Sequence, residues 1–314
     1  MLSVIVPCFN EQENVELFYS EAVKAFKELD CDYELLFVND GSSDGTYNKL
    51  RSLCEKASDS PAIKVISFSR NFGKEAAIYA GLNECKGDFA LLIDADLQQS
   101  PQTACKMYNK LKSNPEYDCV TAFQQKRKEG AILSFFKNIF YKIINRLADT
   151  RFISGASDFR IFNRKVIDAI LDIKEYHRFS KGIFSWIGFN TFFMPYQVRE
   201  RTHGKSKWSF YKLFKYAVEG IIGFSTAPLK IAMLAGLFSA AASAIYSIVV
   251  IIQKLAYGIS VPGYATIVVL LLFLGGMQLF CLGLLGEYIS KIYIQVKDRP
   301  VYIIKEVITN DKKN

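Results

Sequence analysis

The chain has 314 residues, half of them apolar, a formal charge of +8 at pH 7 and seven cysteines. A pI near 9.0 calls for a polyanionic partner, and the crowding of apolar residues toward the C-terminal end favours an anionic membrane surface over nucleic acid. The cysteines (Cys8, Cys31, Cys54, Cys85, Cys105, Cys119, Cys281) form an odd set with no C-x-x-C pair, which argues against a disulfide framework or a zinc site and fits reduced thiols.

Leu2 to Val6 is an apolar run closed by Pro7 and predicts a first strand. Met1 to Pro7 lacks a basic n-region and is too short for a signal-peptide core, so the N-terminal domain is expected in the cytosol. A polar loop, Cys8-Phe-Asn-Glu11, follows, and then Val15, Phe18, Ala22, Phe26 and Leu29 recur at helical spacing. The second strand, Glu34 to Val38, runs into Asn39-Asp-Gly-Ser-Ser-Asp-Gly-Thr46, where glycines permit tight turns and Ser43 or Asp44 suits a helix cap. Asp40 stands at that strand's C-terminal edge, either as a nucleoside contact or as a turn-former. A third strand, Ile63 to Phe68, leads into Ser69-Arg-Asn-Phe-Gly-Lys74 and a helix through Cys85. Arg70 and Lys74 suit a diphosphate, with the solvation and capping of that helix as the alternative.

The fourth strand carries the acids. Phe89 to Ile93 is a short apolar run after Gly87-Asp88, and it ends in Asp94-Ala-Asp-Leu-Gln98. Open α/β sheets bind ligands at the C-terminal edges of their strands. Asp94, Asp96 and Gln98, spaced by two, offer two carboxylates and an amide oxygen, a hard donor set for Mg²⁺ or Mn²⁺ tied to a diphosphate. The bland alternative is a strand-end turn with solvated acids. Three consecutive strands thus deliver polar loops to one edge, as in a parallel, doubly wound sheet with a nucleotide crevice. The chain has neither G-x-G-x-x-G nor a P-loop, which counts against dinucleotide cofactors and P-loop chemistry.

After a fifth strand, Asp118 to Phe123, and the basic run Gln124 to Lys128 comes a helical pattern over 131–149. Ile132, Phe135, Phe136, Ile139, Phe140, Ile143, Ile144 and Leu147 share one face and Lys137, Asn138, Lys142, Asn145 and Arg146 the other, as an interfacial helix needs; a core-facing helix would show the same periodicity. Asp158 to Phe162 predicts another strand, followed by a helix over 164–171. Phe189 to Val198 leads into Arg199-Glu-Arg-Thr-His-Gly-Lys-Ser-Lys207, where Arg199, Arg201, His203, Lys205 and Lys207 around Gly204 suit a phosphate cradle. His177, the second histidine, reads as structural.

An apolar juxtamembrane helix is expected over 208–227. Ile231 to Ile252 and Ala265 to Leu285 are charge-free stretches of roughly 20 residues, each long enough to cross a bilayer. Lys212, Lys215 and Lys230 flank one side and Lys291, Lys297 and Arg299 the other, so both flanks belong in the cytosol and the short loop outside. Glu287, near the end of the second span, belongs at the interface or beside a cation. The division expected is a cytosolic domain over 1–207, the helix over 208–227, a two-helix transmembrane hairpin within 228–289, and a cytosolic tail over 290–314.

Six motifs in this order, Val6-Pro-Cys-Phe-Asn-Glu11, Val38 to Gly45, Ser69 to Glu75, Asp94 to Gln98, Asp158-Phe-Arg160 and Leu285 to Ile289, resemble those of the polyprenyl-phosphate glycosyltransferases. These are family 2 inverting enzymes near the bactoprenol glucosyltransferases and dolichyl-phosphate mannose synthase. The resemblance implies a GT-A α/β fold and a nucleotide-diphospho-sugar donor held by Pro7, Phe9, Asn10, Glu11 and Asp40, with Arg70, Lys74, Asp94 and Ala95 nearby. It implies Mg²⁺ or Mn²⁺ at Asp94, Asp96 and Gln98, and Asp158 with Asp96 as the catalytic acids. The polyprenyl phosphate acceptor would meet Arg127, Arg160, Arg199, Arg201, Lys205, Ser206 and Lys207, in a membrane-bound homo-tetramer. The Gln-x-x-Arg-Trp motif and extra spans of processive synthases are missing from the sequence, so a single transfer is expected. The rivals are an inert nucleotide-binding membrane scaffold, which would have lost the metal acids, and a nucleic-acid binder, which would carry an RNP-type aromatic signature.

Overall fold

The computed structural model describes residues 1–57, 61–124, 145–146, 156–199, 222–223, 225–257 and 263–310. Arg127, Arg201, Lys205, Ser206, Lys207, His203, nearly all of the 131–149 helix and most of the 208–227 helix lie outside the described residues.

β1 (Leu2–Cys8) is the middle of the architecture, and six of its seven residues are buried. A strand covered on both faces reads as a continuous apolar run rather than an alternation. Its period of two survives in what each residue touches. Leu2, Val4, Val6 and Cys8 join one core with Val15, Phe18 and Phe26 of α1 (Val15–Phe26) and with Leu50 of α2 (Thr46–Lys56). Ile5 points the other way, toward Ile78 and Leu82 of α3 (Lys74–Glu84). Gly81 allows that approach, since a Cβ there would stand 2.2 Å from Ile5 Cγ2.

β2 (Tyr33–Asn39), β3 (Ala62–Phe68) and β4 (Phe89–Leu92) run parallel to β1 or to each other. α4 (Pro101–Ser113) starts on a side-chain cap, Ser100 Oγ accepting the Thr103 N–H, with proline in its first turn. β5 (Cys119–Gln124) pairs parallel with β7 (Thr191–Tyr196). β6 (Ala156–Asn163) leads into α5 (Arg164–Asp172), and α6 (Ser180–Trp186) precedes β7. With a last strand, β8, at Ile304–Thr309, the strand order is β7-β5-β6-β4-β1-β2-β3-β8.

The sheet is mixed: β1 to β4 run parallel, as the consecutive strand-and-loop pattern predicts, and β6 runs against them. β6 runs antiparallel to both β4 and β5, with Leu92 opposite Arg160 and Phe89 opposite Asn163. The reversal has a use. It brings the beginning of β6, with Asp158, to the edge where β4 ends in Asp94.

α7 (Ala227–Tyr257) and α8 (Tyr264–Val296) have 31 and 33 residues, and both are long and apolar enough to cross a membrane. They run antiparallel: Ser239 Oγ meets Met277 Sδ at 3.4 Å, and Tyr288 OH donates to the Ser225 carbonyl at the foot of α7. α8 continues as one helix past Glu287 to Val296.

Within the stretch expected as a tail, the chain returns to the sheet. Gln295 accepts the Tyr176 N–H and donates to the Lys174 carbonyl, both at 2.8 Å. Tyr302 stacks on Phe68 with centroids 5.0 Å apart. β8 (Ile304–Thr309) then pairs antiparallel with β3 and covers its edge. Asn310, buried, clasps the other end of β3: its Oδ1 accepts the Ile63 N–H and its Nδ2 donates to the Pro61 carbonyl.

Candidate functional site

The site forms where β1, β2 and β4 end and β6 begins. The loops after β1 and β2 are knitted together by polar side chains. The Asn10 N–H donates to Ser42 Oγ, Asn10 Oδ1 accepts from the Ser43 N–H, and the Glu11 N–H donates to Thr46 Oγ1. Asn10 has φ of 55°, the left-handed region that Asn tolerates better than most residues. Pro7 is half-buried at the end of β1, and Phe9 leaves its ring 37% exposed at this edge, an apolar face suited to stacking on a planar base.

Asp40 is buried, and its carboxylate accepts the N–H groups of Phe72 (2.6 Å) and Gly73 (3.0 Å). Burial raises its pKa, and the two N–H groups offset only part of that rise. Its visible work is to fasten the loop before α3. Gly73 there has φ of 98°, a conformation side chains resist. Arg70 is exposed, its guanidinium 4.2 Å from the Phe72 ring centroid.

Lys74, first residue of α3, bridges two acids: its Nζ lies 2.6 Å from Asp94 Oδ1 and 3.4 Å from Asp158 Oδ2. Burial works against its charge, but Asp94 and Asp158 outweigh it and hold the ammonium well above the ordinary lysine range. Burial likewise pushes Asp158 up, yet Lys181, Lys74 and Arg160 prevail and bring its pKa down to about 2. Arg160 is buried, its Nε donating to the Ser157 carbonyl and its guanidinium 4.8 Å from the Phe184 ring centroid.

In the acidic loop, Ala95 and Asp96 are buried, and Asp96 Oδ1 accepts the Gln98 N–H at 3.2 Å. Leu97 takes φ of 59°. That turn breaks the period-two spacing, so it is the buried Gln99 that reaches back to Asp94, its Oε1 accepting the Asp94 N–H and its Nε2 donating to Asp94 Oδ2. Among the described residues no group of three or more His, Cys, Asp or Glu side chains is placed to hold a metal. Two carboxylates and an amide oxygen fit the other kind of site, in which substrate phosphate and water complete the shell of a hard divalent ion.

The structure thus brings together Asp94, Asp158, Lys74 and Arg160, with Asp96 and Asp40 beside them. It turns Arg199 elsewhere, toward Glu21 (3.0 Å) and Gln102 (3.3 Å), while the Arg199 N–H donates to the Gln98 carbonyl. Sequence reasoning missed Gln99, Lys181 and Glu75. Lys181 has no motif spacing to betray it, because α6 reaches the site through tertiary packing, whereas Glu75 closes the Ser69–Glu75 motif but its partner, Ser180, is far away in the chain.

An open α/β sheet with three acids and their cations gathered at one edge, joined to a pair of membrane-length helices, defines a GT-A domain with a C-terminal helical hairpin. Residues 3–171 match the model of glycosyl transferase family 2, and residues 227–292 match the GtrB C-terminal hairpin; the chain belongs to glycosyl transferase family 2. It is 40% identical over 307 residues to an SfII prophage-derived bactoprenol glucosyl transferase of Shigella flexneri, covering 97% of each chain. To a prophage bactoprenol glucosyl transferase homolog of Escherichia coli (strain K12) it is 38% identical over 308 residues, covering 98% of this chain and 99% of that one. CsbB of Bacillus subtilis (strain 168) is 42% identical over 307 residues, 98% and 92% of the two chains.

Proposed function

We propose that this glycosyltransferase moves one sugar from a nucleotide-diphospho-sugar, a UDP-hexose such as UDP-glucose, to undecaprenyl or another polyprenyl phosphate, inverting the anomeric centre. The observation that carries the reading is the Lys74 bridge between Asp94 and Asp158 at the sheet edge, in a chain whose relatives include bactoprenol glucosyl transferases. Phe9 would stack on the base, with Pro7, Asn10 and Glu11 shaping the same wall. Asp94 and Asp96, with Gln98, would hold Mg²⁺ or Mn²⁺. When bound, that ion neutralises the diphosphate that must leave.

Asp158 is not tuned as a base. A general base works best with a pKa near the working pH, and a carboxyl held at about 2 takes up protons poorly at neutrality. The acceptor does not need one, since a phosphate monoester has a second pKa of ~6 and supplies its own oxyanion. Asp158 then orients sugar or acceptor, and Lys74 and Arg160 offset the charge that collects as the diphosphate departs. Direct displacement by the phosphate oxygen turns an α-linked donor into a β-linked product. The hairpin would lie in the inner membrane with the catalytic domain in the cytosol, next to its lipid substrate.

The test incubates purified protein with undecaprenyl phosphate and a panel of labelled UDP- and GDP-sugars. A lipid-extractable, β-linked monosaccharide product from one donor is expected. No lipid product from any donor overturns the reading.

A further inference from the structure

Glu75 follows Lys74 on α3 and makes a contact that the chemistry above does not use. Its Oε2 accepts the Ser180 N–H at 2.9 Å and also the Ser180 hydroxyl, in a short hydrogen bond. Ser180 is buried and opens α6. A carboxylate on the first N–H of a helix satisfies a donor without an intrahelical partner, and alone it would be only a cap.

Three observations tie it to the site. The neighbouring Lys74 bridges Asp94 and Asp158. On the other side of Lys74, Asp40 grips the N–H groups of residues 72 and 73, so the lysine stands between two anchored points. Arg178, buried and two residues before Ser180, donates to the Ile170 and Ile173 carbonyls and lies 4.1 Å from the Tyr79 ring centroid. The segment entering α6 is thereby tied to α5 and α3. Lys181 comes next in the chain, and it adds to the field on Asp158.

We propose that Glu75 is a positioning residue for sugar transfer: by holding both hydrogens of Ser180 it fixes α6, which carries Lys181, against α3, which carries Lys74 between Asp94 and Asp158. The inference rests on the reading of this edge as the transfer site, and it adds a residue that touches neither sugar nor phosphate. Misplacing a charged group by about 1 Å can cost on the order of 10² in rate.

The experiment uses the full-length protein in micelles with the donor and polyprenyl phosphate found active above. Glu75→Ala is expected to lower kcat about 10- to 100-fold with donor KM within about threefold. Glu75→Gln is expected within about fivefold of wild type, because its amide oxygen accepts the same two hydrogens. Ser180→Ala keeps the backbone N–H and loses about three- to tenfold, and adding it to Glu75→Ala costs nothing further. Amide hydrogen exchange across 181–186 is expected to quicken in Glu75→Ala, a readout that needs no turnover. Unchanged kcat in Glu75→Ala, a Gln variant as poor as the Ala variant, a loss confined to donor KM, or multiplicative losses in the double variant would each overturn the proposal. If Glu75→Ala does not fold, unchanged kcat in Ser180→Ala overturns it. If wild type glycosylates no lipid, the functional reading fails, and unaltered exchange across 181–186 in the variant still decides against Glu75.

Discussion

The strands around β1 and the two C-terminal helices are built from the same apolar residue types and treat them in opposite ways. Val4, Ile5 and Val6 are fully buried, whereas Phe238 and Leu255 are 78% and 82% exposed. Neither apolar window of the helices is buried inside the protein. In the sheet, each side chain is held by neighbours of fixed shape. Along the two long helices no such neighbours among the described residues fill that place, and a bilayer, as apolar as leucine, would accept those side chains. Apolar sequence therefore states what a segment avoids, and the partner it finds differs between the two regions.

The sharpest way to break this contrast is to truncate one large side chain in each region. Phe37 is fully buried and packs edge-on against Phe18, so Phe37→Ala should cost about 3–5 kcal/mol. Leu255→Ala in α7 should cost under about 0.5 kcal/mol. Denaturant unfolding in micelles measures both, and equal losses would mean that the hairpin has a packed core of its own.

At the sheet edge the next largest effect falls on activity alone. Asp96→Asn should reduce turnover by about 10² or more with little change in melting temperature, and EDTA should silence the wild type. Full turnover in EDTA would remove the metal from the reading.

Where the chain's last strand closes on β3, Asn310→Ala strips the Ile63 N–H and the Pro61 carbonyl of their partners. A loss of about 1–3 kcal/mol is expected, seen as a lower melting temperature with unchanged donor KM.

The smallest effect expected is a null one. Asp158 is held at about 2, below its ordinary 3.8, so the stability its ionised form contributes is complete above 3.8 and lost only as pH falls through about 2. No limb between pH 5 and 9 should belong to it. A rise in kcat/KM near pH ~6, from the acceptor phosphate, should appear in wild type and Asp158→Asn alike. A limb present only in the wild type would assign that ionisation to Asp158.

Legibility in the sequence followed how local each cause was. β1 to β4 could be read because strands covered on both faces are runs of apolar residues closed by polar loops. Asp94 and Asp158 could be read from motifs, but their meeting at Lys74 depends on the antiparallel direction of β6, which no local pattern sets. The spacing of two points to Gln98 and gives no sign of Gln99. Leu97's left-handed backbone makes Gln99 the residue that returns to Asp94. β8 escaped because Ile304–Thr309 is mostly exposed and interleaves Lys305 and Glu306 with aliphatics, as an edge strand can.

That last strand orders events during synthesis. Asn310 and the Ile63 N–H it binds are 247 residues apart in the chain, and a ribosome adding ~5–20 residues per second takes about 12–50 s to travel between them. During that interval both hydrophobic helices emerge while the edge of β3 stands uncovered. The sheet is completed only after both long helices have been made, so a chain halted early carries an open strand edge, and such edges recruit one another.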